Sequence, residues 1–444
     1  MLATSSKSEF LKELLCAVLL FLPGFYFANE LYYLLLPLSV LAFEIKHLPQ
    51  RIKVLKKSRY YQLILVLLLI FVLFATINKV YNGLPITCLK DYYASYFLFP
   101  ILIFTAFFLR SLNFGRWLIL LVCLEVLVCL LEYFSGVRSF FPVEKPPIDF
   151  TSNFIYDHRV FGVSINSSVV SFKLLAALLL LENQTWKKHF KFLIQVLLFT
   201  GVIITFNRAL ILTVLFLYLL LAIFSFWKQK KTFVNSLIAM APLFLFFLIF
   251  QGFSKHSFFT ELNKKNPETN KLEVVKVQAL VQAKSQQSCM AAYQPKMKQG
   301  TELNQNLFFT KLLVGSTQHI NTSGRTLIWA NFFQFIEEHP WFGNGSDKLY
   351  FREKDPATGT EKWVHAHNSF LEIVATHGIM LTVFFFLILV FLWRKKNIVF
   401  LATLFFFSLF QYGIFWGISI LDIIFMVFLL SPVTLWQNES QSAY

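Results

Sequence analysis

Charge is scarce in this chain. Of 444 residues only 14% are Asp, Glu, Lys or Arg, against roughly 25% in an ordinary soluble domain, and that deficit excludes a soluble globular enzyme. Cysteine is sparse as well. The five residues Cys16, Cys88, Cys123, Cys129 and Cys289 are odd in number, and three of them lie inside apolar blocks. They form neither a disulfide framework nor a zinc pattern. The first apolar block, Leu14 to Ala28, lacks a convincing small-x-small cleavage site, so it reads as a first span and not as a signal peptide. Alternating and heptad patterning are also missing, which argues against a sheet protein or a coiled coil.

What the chain has instead is apolar length. Hydrophobic residues make up 57% of it, 55 of them Phe, in blocks long enough to cross a bilayer. Runs near 12–28, 31–45, 60–78, 92–109, 116–135, 165–181, 190–206, 208–227, 233–251, 368–393, 397–412 and 414–431 predict an all-α integral membrane protein with about twelve transmembrane helices. Residues 1–251 would hold spans one to nine, 252–366 a large polar loop, 367–431 spans ten to twelve, and 432–444 a tail.

The net charge of +16, from 40 basic and 24 acidic residues, would suggest a nucleic-acid partner in a soluble protein. Here it reports topology, and no nucleic acid is implied. With the amino terminus inside, nineteen basic residues fall on inward edges, in clusters such as Lys56-Lys57-x-Arg59 and Arg394-Lys395-Lys396, against six in short outward segments. Positive charge is retained on the cytoplasmic side. Both termini are therefore expected in the cytoplasm and the 252–366 loop outside. The first half of that loop, 255–306, is rich in Lys, Gln, Asn and Glu.

Three places in the outward half carry chemistry. A helix is expected near 323–339, with Ser323 as N-cap, Pro340 as stop and Trp329, Phe332, Phe333 and Ile336 at helical spacing, lying on or in the membrane surface. Arg325 in its first turn is either part of an anion site or a solvated arginine snorkelling to headgroups. Asn207-Arg208 interrupts the apolar stretch 192–227, and a charge so close to hydrocarbon has a partner, a task or a headgroup to anchor it. His365 and His367, where the loop meets the tenth span, suit either a metal pair completed by Asp347, Asp355 or Glu372, or general-base work near neutral pH. Glu125, Lys173 and Asp422, within spans, are expected to be structural partners inside the bundle.

His367-Asn368, nine intervening residues and Gly378 resemble a signature of the O-antigen ligase and polymerase superfamily of bacterial envelope glycosyltransferases. The second family glycine, three residues on, is Leu381 here. Gly324-Arg325-x3-Trp329 through His339-Pro340-Trp341-Phe342-Gly343-x-Gly345 is similar to the family's loop helix and its exit. Asn207-Arg208-Ala209 matches its hairpin arginine, and Arg159-Val-Phe-Gly162-x3-Asn166 resembles another outward segment. The resemblance covers the whole architecture and implies a GT-C-like fold with a periplasmic loop in the inner membrane.

The activity it implies is transfer of a glycan from an undecaprenyl pyrophosphate carrier to an acceptor hydroxyl at the periplasmic face. Arg208 and Arg325 would hold the pyrophosphate, since guanidinium binds phosphate in a bidentate manner and keeps its charge. His367 would be the general base in an inverting displacement that uses no metal and no cofactor. Asn368, His365 and Arg159 are further substrate contacts. The expected partners are the lipid-linked donor, a lipid A-core acceptor and membrane lipids. O-antigen polymerase and protein O-oligosaccharyltransferase use the same donor and are the alternatives. A transporter of lipid-linked sugars is disfavoured by the lack of an internal repeat.

Overall fold

The computed structural model describes residues 7–22, 29–45, 49, 53, 59–82, 99–109, 112–137, 148, 158–164, 166–228, 325–343, 351–354, 361–364, 366–392, 397–411 and 419–430. The ninth expected span, most of the long loop and the 432–444 tail lie outside them.

Eleven of the twelve expected spans contain a described helix. They are α1 (Lys7–Phe21), α2 (Asn29–Glu44), α3 (Arg59–Tyr81), α4 (Phe99–Leu109), α5 (Gly115–Ser135), α6 (Ser167–Glu182), α7 (Lys188–Ile204) and α8 (Arg208–Lys228), then α10 (Ser369–Leu392), α11 (Ile398–Ser408) and α12 (Ile420–Leu430). Between the two groups, α9 (Arg325–Glu338) falls where apolar spacing predicts a loop helix. Two helices, Gly115–Ser135 and Ser369–Phe391, are by length and composition apolar enough to cross a membrane. One feature was not expected from the sequence. A short antiparallel hairpin pairs β1 (Phe351–Lys354) with β2 (Glu361–Val364), and its register sets Glu353 opposite Lys362 and Lys354 opposite Glu361. Four-residue strands are too short to show an apolar period.

Helix starts follow the local chemistry. Asn166 accepts from the Val169 N–H at 3.0 Å and caps α6. At α12 the Ser419 hydroxyl accepts from Leu421 N–H at 3.2 Å while Asp422 accepts from Ser419 N–H at 2.7 Å, a reciprocal capping box. Asp422 is thus a structural group, as expected.

The helices pack as a bundle in which α5 is contacted by α1, α6 and α7, α12 lies against α4, α6 and α11, and α3 and α9 lie against α10. Phenylalanines supply many of the contacts: Phe216 stacks on Phe406 at 4.3 Å between centroids, and Phe400 on Phe428 at 4.9 Å. Lys173 and Glu125 form a buried ion pair of 3.2 Å, with Ser164 donating to Glu125 at 2.5 Å and accepting from Lys173 at 2.9 Å. Both charges are 1% exposed, so each is tolerated only through the other.

The polar contacts divide the bundle into two ends. At one, Glu13 meets Arg116 at 2.7 Å, and Glu182 accepts from Lys191 at 3.0 Å and from the Tyr218 hydroxyl at 2.8 Å. At the other lie the start of α6, the α7–α8 turn, the start of α10, the end of α11 and the helix α9.

Candidate functional site

The turn from α7 to α8 is Thr205-Phe206-Asn207. Phe206 takes a left-handed φ of 49°, which reverses the chain in three residues. The buried Asn207 side chain then caps α8 by accepting from Leu210 N–H at 3.3 Å, and it donates to the Ser171 hydroxyl of α6 at 2.9 Å. Arg208 follows as the first residue of α8, half-buried, at the positive end of the helix dipole.

A second strand of the site arrives from α10. Asn368 caps that helix, its side-chain oxygen accepting from Phe370 N–H at 2.9 Å and Leu371 N–H at 3.1 Å. Asn368, expected as a substrate contact, therefore has a structural duty through its amide oxygen. His367, just before it, adopts φ 49°, a conformation uncommon for any residue but glycine.

Gln411 joins the two. Its backbone carbonyl accepts from the Ser369 hydroxyl at 2.9 Å, and its side-chain amide donates to Asn207 at 3.4 Å. The positions next to His367-Asn368 and to Arg208 are thus tied through one residue at the end of α11. Arg159 belongs to the same end. His158 sets its ring edge-on against Phe206 at 5.9 Å, and buried Glu132 accepts from the Phe161 and Gly162 N–H groups, each at 2.7 Å.

The loop helix α9 closes this end of the bundle. Phe332 and Phe335 are buried against Ala366, Leu371 and Ala375, with Ile328, Trp329, Phe333 and Ile336 partly buried around them. Its apolar face thus rests on the start of α10. The Trp329 indole N–H donates to the Ala366 carbonyl at 2.8 Å. The Gly378 backbone, at φ 71° and ψ 174°, breaks α10 into two pieces. A Cβ there would lie 2.1 Å from the Trp341 carbonyl oxygen, and one at Gly343 2.7 Å from Gly378 N. Ile379 N–H donates to the Pro340 carbonyl at 2.8 Å across the break. Gly343 and Gly378, two of the glycines in the resemblance, serve one backbone-to-backbone contact between the α9 exit and α10. Leu381, in place of the family's second glycine, is buried in the main core beyond the break.

The backbone of Arg325 is the first residue of α9; Ser323 and His365 lie outside the described residues. Among the described residues no three His, Cys, Asp or Glu side chains come together as a metal site. Glu372, a candidate ligand, instead accepts from Ala366 N–H at 3.1 Å. Glu372, Gln411 and Ser369 were not anticipated as supports of the site; only the proximity of Glu372 and Ser369 to His367 in sequence hinted at them.

Two of the described helices are long and apolar enough to cross a membrane, and the bonds of Gln411 draw Ser369 and Asn207 together at one end of the bundle. Residues 193–386 match the family model described as O-antigen ligase. The matched stretch, a little under half of the chain, contains Arg208, Arg325, His365, His367 and Asn368. No curated protein and no solved structure matches the chain significantly.

Proposed function

We propose that the protein transfers O-antigen polysaccharide from undecaprenyl pyrophosphate to lipid A-core at the periplasmic face of the inner membrane. The observation that carries this reading is the Gln411 bridge, which links the neighbours of His367 and Arg208 although the two lie far apart in sequence. A polyprenyl donor keeps its tail in lipid and its pyrophosphate at the interface. Fixed cations are needed at that depth, and Arg208 and Arg325, each the first residue of a helix, supply them.

In the reaction the acceptor hydroxyl oxygen attacks the anomeric carbon from the face opposite the pyrophosphate. The new C–O bond forms as the bond to the phosphate oxygen breaks, and undecaprenyl pyrophosphate leaves with the electron pair. Configuration inverts. His367 takes the hydroxyl proton as general base. The two guanidinium groups meet the negative charge that grows on the leaving oxygen, which stabilises the transition state more than the ground state and needs no metal. Arg159, His365 and Asn368 lie along the same segments and contact glycan or phosphate. The nineteen-to-six partition of basic residues supports a topology of twelve spans with cytoplasmic termini and this end outside.

The acceptor is tested by electrophoresis of lipopolysaccharide from a deletion strain. Bare core with accumulated lipid-linked polymer is expected. Core carrying a single repeat would instead identify a polymerase, and normal lipopolysaccharide with lost protein glycosylation a protein-directed transferase.

A further inference from the structure

We infer that Glu372 and Trp329 are positioning residues that hold the Ala366–His367 turn, and that through Trp329 the placement of His367 depends on the seating of the helix that begins at Arg325. The inference rests on reading His367 as the general base.

Ala366 is fully buried, so neither of its backbone polar groups reaches water and each needs a protein partner. Both partners are side chains, and they come from different elements. Glu372 of α10 accepts from the N–H at 3.1 Å, and Trp329 of α9 donates to the carbonyl at 2.8 Å. The next residue, His367, takes the left-handed φ of 49°, and the one after it, Asn368, is fixed as the helix cap. The unusual conformation is therefore held from both sides, as strained residues at reactive sites are.

A plain helix-dipole role does not explain Glu372. The first turn of α10 already has its cap in Asn368, and the carboxylate reaches back beyond that cap to the turn outside the helix. Trp329 lies four residues, about one turn, after Arg325 in α9. Its indole bond therefore ties the arginine-bearing helix to the shoulder of His367. When α9 is unseated the Ala366 carbonyl loses its partner, and the base shifts relative to the pyrophosphate cations.

The test is steady-state transfer by purified full-length protein, with undecaprenyl-pyrophosphate-linked polymer and lipid A-core in detergent. Trp329→Phe keeps a ring and removes the donor; Glu372→Ala removes the acceptor; Glu372→Gln keeps an acceptor oxygen. For the first two, kcat is expected to fall on the order of 10- to 100-fold, because small misplacements of a reacting group have effects of that size, with KM for the donor within about twofold. Glu372→Gln is expected to retain turnover and the wild-type pH profile. An inactive Glu372→Gln, or one with a displaced pH limb, would overturn the positioning role in favour of proton transfer by Glu372. His367→Ala, run in parallel, separates the two levels. If it is inactive while Trp329→Phe and Glu372→Ala turn over normally, the positioning inference alone falls; if it is active, the reading of His367 falls and takes the inference with it. Should Glu372→Ala fail to accumulate, Trp329→Phe decides.

Discussion

His367 occupies a backbone conformation that costs a non-glycine residue about 1–3 kcal/mol, and the chain holds it with side-chain bonds on the residues to either side. Gly378 shows the same economy of space in another form. Its φ and ψ are open essentially to glycine alone, and a Cβ would sit 2.1 Å from the Trp341 carbonyl oxygen. Gly378→Ala is expected to lower stability by at least about 2 kcal/mol, seen as a drop of several degrees in thermal unfolding in detergent. An unchanged melting point would show that the α9–α10 contact is not as close as it stands here. The signature spacing was legible in the sequence because it is local. Nine residues from cap to break form a half-helix of about 13–14 Å, which fixes the distance between His367 and the seat of α9. Glu372 and Gln411 were not legible as supports of the site. Gln411 acts on partners 42 and 204 residues away, and no local pattern encodes that.

Helices were the best anticipated elements, since apolar runs at membrane length declare themselves regardless of tertiary context. Among the described residues, helices fall within eleven of the expected runs, and a further helix, Arg325–Glu338, lies where one was expected in the polar stretch. Less visible was what the helices do to each other. A lone Glu125 or Lys173 in an apolar run gives no register, and only packing of α5 against α6 brings them to 3.2 Å. The pair gives a prediction at this scale. Lys173→Met leaves a buried carboxylate without its cation and is expected to destabilise by about 3–5 kcal/mol, checked as loss of folded protein on size exclusion and in thermal scans. Lys173→Met combined with Glu125→Leu is expected to recover most of that loss, because an apolar pair of similar volume has no desolvation penalty. The β1–β2 hairpin escaped notice because its strands are four residues each and carry charge where an apolar period would show.

Across the whole molecule, polar contacts separate into an end with Arg116, Glu182 and Lys191 and an end with Arg159, Arg208 and His367. Charge counting alone indicated which end faces the cytoplasm. In a background without the native cysteines, Trp341→Cys, 61% exposed beside the α9 exit, is expected to react with a membrane-impermeant maleimide in intact spheroplasts. Lys188→Cys at the opposite end is expected to react only after permeabilisation. Reversed labelling would overturn the orientation, and with it access of the site to a periplasmic acceptor. The central claim is that His367, beside the Arg208 turn, takes the acceptor proton in a glycosyl transfer. It is tested most directly by incubating purified protein with undecaprenyl-pyrophosphate-linked polymer and lipid A-core in detergent, with no membrane gradient, and following the joined product by gel mobility. The wild-type protein is expected to form polymer-bearing core, and His367→Ala at equal folded concentration to form less than about 1% of it, in line with loss of a general base; product at the wild-type rate from His367→Ala would contradict the mechanism.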